Sequence, residues 1–341
     1  MRRLPKHNRI SCVLVAILMA LCLLLSGCGE QEVVDRIFAL NTYITFTVTG
    51  RRAEEAVTAL RAEVTRLERL FSTTVETSDV ARANASDGAP VTISEETASL
   101  LTTAFAVSAE TDGAFDVTVR PLVTLWDFEG NPSVPAEEDL AAALALVGQE
   151  HVTLTGTEIT IDPGSGIDLG GIAKGYVTDR LRDILTEYGI RSAMLVLGGN
   201  CYAHGLKPDG SKWRIGIQDP EDASATIGSV RVSDCAVITS GGYQRNFVED
   251  GREYHHILDP ETGYPAESGF LSVTILSPDG TLADALSTAL FVMGPEKAEA
   301  YWRTRDDFEF VAVLTDGSIV VTDGVDFIPG DGTAATTVLS R

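Results

Sequence analysis

The order of strand-like and helix-like segments is the feature that most constrains the fold of this chain. Two pairs of short apolar segments, 246–248 with 254–258 and 310–314 with 318–321, flank Asp-Gly dipeptides in the pattern typical of β-hairpins. Between and before them lie segments with apolar residues at helical spacing, the clearest over residues 54–71. Because hairpins and helices are mixed without strict alternation, the pattern predicts an α+β fold and not a doubly wound parallel sheet.

Other segments are predicted from the same kinds of pattern. The predicted strands are 42–49, 152–154, 159–161 and 193–197, and the predicted helices are 95–111 with Ser94 as N-cap, 176–188, 282–293 and 296–303. No internal repeat is visible, and no linker clearly divides the chain.

The N-terminus has the pattern of an export signal. Four basic residues precede residue 10, and residues 12–25 form an unbroken apolar run of 14, shorter than the about 20 residues that span a bilayer. The run ends in Leu25-Ser26-Gly27-Cys28, which resembles the lipobox of bacterial lipoproteins. We therefore expect residues 1–27 to be a lipoprotein signal peptide, Cys28 to be lipidated, and residues 28–36 to tether the protein to the outer side of the cell membrane. The alternative is an ordinary membrane anchor in which Cys28 is incidental.

The charge of the chain excludes one class of partner. The sequence has 26 basic and 49 acidic residues, and cleavage after residue 27 would change the formal net charge from −23 to −27. Such acidity argues against binding to nucleic acid. Of the five cysteines, Cys201 and Cys235 lie outside the N-terminal segment; they could pair outside the cytoplasm, but the sequence does not settle whether they do.

A glycine-rich segment, Asp-Leu-Gly-Gly-Ile-Ala-Lys-Gly over residues 168–175, precedes a predicted helix. Free N–H groups at a helix N-terminus attract anions, glycines allow a close approach, and Lys174 adds a positive charge, so a phosphate could bind here. The spacing matches neither the dinucleotide-binding fingerprint nor the P-loop. The alternative is a turn whose glycines only pack a helix on a sheet.

Asp284 and Thr288 lie four residues apart in a predicted helix, so their oxygens share one face. A carboxylate beside a hydroxyl suits Mg²⁺, which binds a few protein oxygens and keeps positions for phosphate and water. The alternative is that the Thr288 hydroxyl only bonds back to the preceding helical turn.

Two further motifs contain candidate residues. His255 and His256 stand near a predicted strand end, where only one imidazole can face a given cleft, and histidine is the usual proton shuttle near neutral pH. A hydrogen-bonded or surface histidine pair would also explain them. Gly113 follows a predicted helix as a possible C-cap that leads into a strand, for which turn formation alone is a sufficient explanation.

Taken in order, the motifs of this chain resemble those of the FAD:protein FMN transferases, the ApbE family, from about residue 38 to about residue 324. The motifs are Leu40-Asn41-Thr42-Tyr43, Phe71-Ser72-Thr73, Gly113-Ala114-Phe115-Asp116, the segment 168–175, Gly198-Gly199-Asn200, the segment 213–220, Thr239-Ser240-Gly241, the segment 256–265 and the segment 284–288. The chain departs from the family pattern at two places, with Leu40-Asn41-Thr42 in place of Met-Gly-Thr and Thr74 in place of an aromatic residue.

The resemblance implies a bilobed α+β domain, similar to the T-fold, over residues 37–325, with FAD in the cleft between the lobes and a tail over 326–341. It implies Mg²⁺ held by the Asp284 carboxylate, the Thr288 hydroxyl and backbone carbonyls near Gly171 and Ser287. The positions that correspond to FAD contacts in the family are Leu40, Ala114, Phe115, Asp116, Asp168, Lys174 and Ile257. His256 falls on the family's motif histidine, and with Asp284 it is the candidate for catalysis.

The reaction implied is Mg²⁺-dependent transfer of FMN from FAD to a threonine hydroxyl of an acceptor flavoprotein, such as a membrane redox subunit, with release of AMP. Two alternatives remain at this point: an FAD pyrophosphatase that produces FMN and AMP, and a lipoprotein that binds flavin without catalysis. The tail sequence Asp331-Gly332-Thr333-Ala334-Ala335-Thr336 loosely resembles an acceptor motif, although an Ala/Thr-rich disordered end explains it as well.

Overall fold

The computed structural model describes residues 30–330 and 335–341. The predicted signal peptide, Cys28 and most of the acceptor-like motif in the tail therefore lie outside the described residues. Within them, no helix is both long enough and apolar enough to cross a bilayer.

Strands and helices contribute in similar measure to the described chain, which confirms the α+β class. The strands are β1 (Gln31–Ala39), β2 (Thr42–Gly50), β3 (Val91–Thr92), β4 (Val152–Thr155), β5 (Glu158–Ile161), β6 (Ser192–Leu197), β7 (Asn200–Gly205), β8 (Trp213–Gln218), β9 (Thr226–Val232), β10 (Cys235–Gly241), β11 (Asn246–Glu249), β12 (Arg252–His255), β13 (Phe270–Ser277), β14 (Glu309–Leu314), β15 (Ile319–Thr322), β16 (Phe327–Pro329) and β17 (Thr336–Leu339). The helices are α1 (Ala53–Phe71), α2 (Asp79–Asn84), α3 (Glu95–Glu110), α4 (Arg120–Trp126), α5 (Glu137–Leu144), α6 (Ala173–Glu187), α7 (Gly280–Met293) and α8 (Pro295–Trp302).

A nine-stranded sheet forms the centre of the molecule, in the order β1-β2-β6-β7-β10-β13-β14-β15-β17. Its neighbouring strands are antiparallel except for the parallel pair β15–β17. The remaining strands form the smaller sheets β16-β9-β8, β3-β5-β4 and β11-β12.

The two faces of the large sheet are covered differently. Helices α1, α6 and α7 pack on one face, where Phe46, Leu60 and Leu286 belong to the main hydrophobic core. On the other face, apolar residues of the later strands join those of β8 and β9, such as Val230, in a second core. Because β13 is covered on both sides, nearly every residue in it is buried, including Ser272, Thr274 and Ser277.

Local sequence explains the first hairpin and the helix after it. Leu40 and Asn41, with φ of 53° and 56°, form the two-residue turn between β1 and β2, and two positive φ values are the mark of a type I′ turn, whose twist matches that of the strands. Helix α1 buries the apolar residues whose spacing predicted it, including Val57, Leu60 and Val64.

The structure corrects two local predictions, and it also contains strands within two further segments. Residues 31–36 of the proposed tether lie in β1, and residues 327–329 and 336–339 of the proposed tail form strands. The strand predicted over 254–258 ends at His255. No strand follows Gly113, because the Asp116 carboxylate accepts hydrogen bonds from the N–H and hydroxyl of Thr118 and bends the chain.

The cysteine pair that the sequence left open is not bonded in this structure. Cys201 and Cys235 are free, on the adjacent strands β7 and β10. Cys201 lies opposite Val237 and Cys235 opposite Ala203, so the two cysteines are diagonal neighbours and not direct partners. Burial raises the pKa of the Cys201 thiol to about 11 and that of the Cys235 thiol to about 12, so both are poor nucleophiles.

Candidate active site at the end of the central sheet

The Asp284 carboxylate lies at the centre of the candidate site and is only 4% exposed. The Gly175 N–H donates to one of its oxygens over 2.8 Å, and the Asn200 side-chain amide donates to the other over 3.1 Å. A carboxylate oxygen has two lone pairs, so each oxygen keeps one for a further partner.

Helices α6 and α7 cross closely at this point. A methyl group added to Gly175 would lie 2.1 Å from the carbonyl oxygen of Gly280 and 2.7 Å from the Cβ of Asp284. Glycine is therefore required there, and the absence of a side chain brings Asp284 of α7 to the first turn of α6. The sequence predicted the start of α6 at residue 176, whereas it begins at Ala173.

Three hydroxyl groups extend the polar cluster. The Ser240 hydroxyl lies 2.8 Å from that of Ser287 and 3.2 Å from that of Thr288. Ser287 also donates to the backbone carbonyl of Asp284. The sequence suggested that Thr288 could bond back to the preceding helical turn. Ser287 forms this kind of bond instead, and the Thr288 hydroxyl contacts that of Ser240.

The glycine-rich segment packs against this cluster. A methyl group on Gly171 would lie 3.1 Å from the Phe115 ring and 3.6 Å from the Thr288 hydroxyl, so the absence of a side chain keeps space beside that hydroxyl. Lys174 donates to the carbonyl of Gly170 over 3.0 Å, and no carboxylate pairs with it within the described residues.

Asp168 shapes the start of the same turn. Its carboxylate accepts the Gly170 N–H over 2.8 Å and lies 3.4 Å from the Arg120 guanidinium. Arg120 also lines a cavity of about 560 Å³ together with Thr73, Asn84, Leu146 and Ser165. The Asp284 carboxylate and the hydroxyls of Ser240 and Thr288 do not line this cavity.

The geometry corrects the expectation of a free helix N-terminus. The Gly175 N–H in the first turn of α6 is already bonded to the Asp284 carboxylate, so the anion at that N–H is a side chain of the protein. A phosphate could instead be attracted by Lys174, whose ammonium group has no acidic partner in the described chain.

The donor set fits a hard cation. In the described ranges, no three His, Cys, Asp or Glu side chains gather as they do in a metal cage. Helix α7 carries the Asp284 carboxylate and the hydroxyls of Ser287 and Thr288; these hydroxyls contact that of Ser240, and Gly171 lies beside Thr288. Oxygen donors with a single carboxylate match Mg²⁺, which keeps several positions for phosphate and water.

His256 stands at the end of the β11–β12 hairpin as a neutral imidazole. Its Nδ1 lies 3.3 Å from the Arg245 carbonyl oxygen, which can only accept, so Nδ1 carries the proton and Nε2 has a free lone pair. Burial, together with the positive charge of Arg245, lowers the pKa of His256 to about 3. A neutral imidazole with a free Nε2 can accept a proton throughout the physiological pH range.

His255 has different surroundings. Its ring packs edge-on against Phe291, with centroids 5.5 Å apart, and against the backbone of Gly242. Burial lowers the pKa of His255. The two histidines therefore occupy different environments, as their alternation predicted.

Of the remaining predicted FAD contacts, Phe115 lies closest to the glycine-rich segment. Phe115 is buried beside Gly171, and burial raises the pKa of the Asp116 carboxyl; Ala114 precedes them in the turn. Ile257 is buried directly after His256.

Leu40 reaches the region through the first hairpin. Its N–H donates a hydrogen bond to the Glu68 carboxylate over 2.7 Å. Thr42, the first residue of β2, packs against Gly198. The Gly198–Gly199 turn leads to Asn200, which holds Asp284. The first hairpin is thus connected to the centre of the site by direct contacts.

Two residues of the site were not among the sequence candidates. Asn200 holds the Asp284 carboxylate and Ser240 joins the two hydroxyls of α7. Both lie in short motifs of the family pattern, Gly198-Gly199-Asn200 and Thr239-Ser240-Gly241. Their roles depend on contacts with α7 across 84 and 47 residues of sequence, which residue spacing does not reveal.

An α+β fold that brings together a buried carboxylate, a hydroxyl cluster and a glycine-rich turn is the arrangement expected of an enzyme that acts on a phosphate-bearing ligand. The model of the ApbE family matches residues 40–312. The chain belongs to the ApbE family, which confirms the resemblance seen in its motifs.

Relatives and solved structures agree with this membership. The chain is similar to the FAD:protein FMN transferase of Treponema pallidum, with 34% identity over 92% of this chain and 95% of the relative. It is also similar to that of Klebsiella pneumoniae, with 40% identity over 68% and 73% of the two chains. The crystal structure of the ApbE protein of Thermotoga maritima matches with a TM-score of 0.81 and 38% identity, over 86% of this chain and 98% of that one.

Proposed function

We propose that this protein transfers FMN from FAD to a threonine hydroxyl of an acceptor protein and releases AMP. Family membership and the names of its relatives support flavin transfer. The observation that carries the chemical part is the buried Asp284 carboxylate, which is bonded to Gly175 of the glycine-rich turn, while the Thr288 hydroxyl, one turn later in the same helix, lies beside Gly171 of that turn.

Asp284 and Thr288 would hold Mg²⁺ with backbone carbonyls near Gly171 and Ser287. When bound, this ion would offset negative charge on the diphosphate of FAD as the phosphoanhydride bond breaks. Lys174, which has no acidic partner in the described chain, is suited to bind a phosphate oxygen. Phe115, Asp116, Asp168, Leu40 and Ile257 would contact the rest of the dinucleotide.

His256 is suited to handle the proton of the acceptor. Its Nδ1–H is fixed by the Arg245 carbonyl, so its Nε2 can accept the proton of the threonine hydroxyl. The hydroxyl oxygen then forms a bond to the phosphorus of the FMN half, and the bond from that phosphorus to the AMP oxygen breaks. The products are a phosphoester-linked flavin, AMP and one proton held by His256.

The substitution Asp284→Asn tests the proposal. The asparagine introduced by this change can keep both hydrogen bonds if the Asn200 amide reverses, so the change removes mainly the negative charge. We expect FMN transfer to fall about a hundredfold or more, because several kcal/mol of charge stabilisation depend on the cation. Transfer is measured as covalent flavin fluorescence on a denaturing gel, with FAD, Mg²⁺ and a threonine-bearing acceptor protein.

The matched control is Asp316→Asn, which changes a carboxylate in an exposed hairpin turn and should leave transfer unaltered. Chelation by EDTA should abolish wild-type transfer, and added Mg²⁺ should restore it. Full activity of Asp284→Asn, or transfer that persists in EDTA, would refute the metal-dependent mechanism. Release of AMP without labelling of the acceptor would show the hydrolytic alternative, a pyrophosphatase.

We also propose that the protein is a lipoprotein, anchored to the outer side of the cell membrane through Cys28 and acting on flavoproteins there. The support is the sequence of residues 1–28 alone. Incorporation of radiolabelled fatty acid into the wild type, and its loss in Cys28→Ala, is the expected result; equal incorporation in both would refute it.

A further inference from the structure

The outer edge of β1 presents unpaired backbone groups. Within the described chain, β1 ends the order of the nine-stranded sheet and pairs only with β2. Ala39 pairs with Thr42 around the two-residue turn, so the odd-numbered residues of β1 exchange hydrogen bonds with β2. The N–H and C=O groups of Glu32, Val34, Arg36 and Phe38 therefore point outward over a length of about 20 Å.

The side chains of the same strand form an exposed apolar face. Val34 is 63% exposed and Phe38 is 65% exposed. Tyr43 of β2 is 58% exposed and contacts the Phe38 ring at a centroid distance of 5.3 Å, and the Arg36 guanidinium lies 4.0 Å above the Tyr43 ring. We call β1 with these side chains the β1 edge.

The β1 edge runs to the candidate active site. The strand ends at the turn that contains Leu40, and Thr42 after the turn contacts Gly198, next to Asn200 and its hydrogen bond with Asp284. An extended chain that paired with β1 would thus lead directly towards the Asp284 cluster.

We propose that the β1 edge binds an extended segment of the acceptor polypeptide by strand addition and so guides its threonine to the site. This inference rests on the proposed function, because only a polypeptide acceptor needs such a surface. Outward N–H and C=O groups recognise any extended backbone, and Val34 and Phe38 would contact alternate side chains of the added strand.

The same observations disfavour two other occupants. The hydrocarbon core of a bilayer offers no hydrogen-bond partners for the free backbone groups, and leaving each of them unsatisfied there would cost several kcal/mol. A second copy of a chain with a formal net charge of −23 is repelled electrostatically. A polypeptide partner satisfies the backbone groups and need not carry such a charge.

The substitution Val34→Pro tests strand addition. It removes an outward N–H that does not bond to β2, and proline is tolerated in edge strands at such positions. We expect the KM for the acceptor to rise at least about tenfold. The kcat at saturating acceptor and the Kd for FAD should remain those of the wild type, since residue 34 lies away from the Asp284 cluster.

Two controls separate the backbone group from the side chain and from general effects. Val34→Thr keeps both the N–H and the branched shape, and should keep the KM within about twofold. Val338→Ser changes an exposed residue of β17, at the opposite edge of the same sheet, and should have no effect. The probe is an acceptor protein that the wild type labels in the gel assay.

Hydrogen–deuterium exchange gives an independent measurement. With this acceptor present, the amides of residues 31–39 of the full chain should become protected, and in Val34→Pro they should not. Protection by phosphatidylcholine vesicles alone, or by raised enzyme concentration alone, would show a bilayer or a second copy on the β1 edge and would refute the inference. Absence of transfer by the wild type would refute the proposed function and this inference with it; transfer with an unchanged KM in Val34→Pro would refute strand addition only.

Discussion

Among single residues, His256 couples the site to the pH dependence of stability. Its pKa in the folded protein is lowered to about 3 from an ordinary value of 6.5, so between these values the unfolded chain binds a proton that the folded one does not. Stability is therefore unaffected by this group above about pH 6.5 and falls as the pH is lowered from there.

The substitution His256→Gln removes this contribution. Between pH 7.5 and pH 5, we expect the unfolding free energy of the wild type to fall by about 1–2 kcal/mol more than that of the variant. Urea denaturation at the two pH values measures both changes. An equal loss in both proteins would show that His256 is protonated in the folded state at pH 5. The imidazole would then titrate with its ordinary pKa, which would contradict its description as a buried neutral group.

Leu40 is a second residue at which stability and function diverge. A leucine with φ of 53° occupies a conformation that costs about 1–2 kcal/mol for most side chains and less for asparagine. We expect Leu40→Asn to raise the unfolding free energy by up to about 1 kcal/mol while weakening FAD binding, since strain is tolerated where a side chain serves a ligand. Thermal denaturation and titration with FAD test the two effects, and tighter FAD binding in the variant would contradict the proposed contact.

At the level of elements, the crossing of α6 and α7 holds the site together. From helix propensity alone, Gly175→Ala would stabilise the protein by about 1 kcal/mol. The added methyl group, however, would lie only 2.1 Å from the carbonyl oxygen of Gly280. We therefore expect a net loss of about 1–3 kcal/mol or more and a lower Tm. Thr186→Ala, on the exposed side of the same helix, should change stability by less than about 0.5 kcal/mol; a stabilised Gly175→Ala would exclude the close crossing.

Elements with local signals could be predicted from the sequence, and those with distant partners could not. The spacing of Val57, Leu60 and Val64 predicted α1, and Asp316-Gly317 predicted the hairpin of β14 and β15, because both depend on neighbours in sequence. The start of α6 was misplaced by three residues, since its first turn is fastened by Asp284, 109 residues away.

The ends of the domain show the same limit. Strand β17 (residues 336–339) has no neighbouring hairpin turn that would predict it. It pairs with β15 in parallel, and parallel strands are not joined by a tight turn. Within the candidate site, the Asp284–Thr288 pair was visible as helical spacing. Asn200 and Ser240 received no role, because strand order alone brings β7 and β10 to α7.

For the whole molecule, charge is the dominant property. With a formal net charge of −23 the folded chain repels itself, and salt should screen this repulsion. We expect the Tm at pH 7.5 to rise by a few degrees between about 10 mM and about 500 mM NaCl, because the exposed ion pairs weakened by salt contribute little. Near pH 4.5, the isoelectric point of the sequence, the rise should vanish, and an equal rise at both pH values would contradict the explanation.

The double attachment of Asp284 has a consequence for how related sequences are interpreted. A descendant that abandoned catalysis would still need a side chain here that bonds to both Gly175 and Asn200, so selection would keep an aspartate or an asparagine at this position in inactive copies as well. An aspartate at this position in a related sequence therefore does not show that the protein is active. In the described chain the Thr288 hydroxyl forms a hydrogen bond only with Ser240, so an inactive protein could lose this residue without losing the contact between the helices. Thr288 is therefore the better marker of an active enzyme.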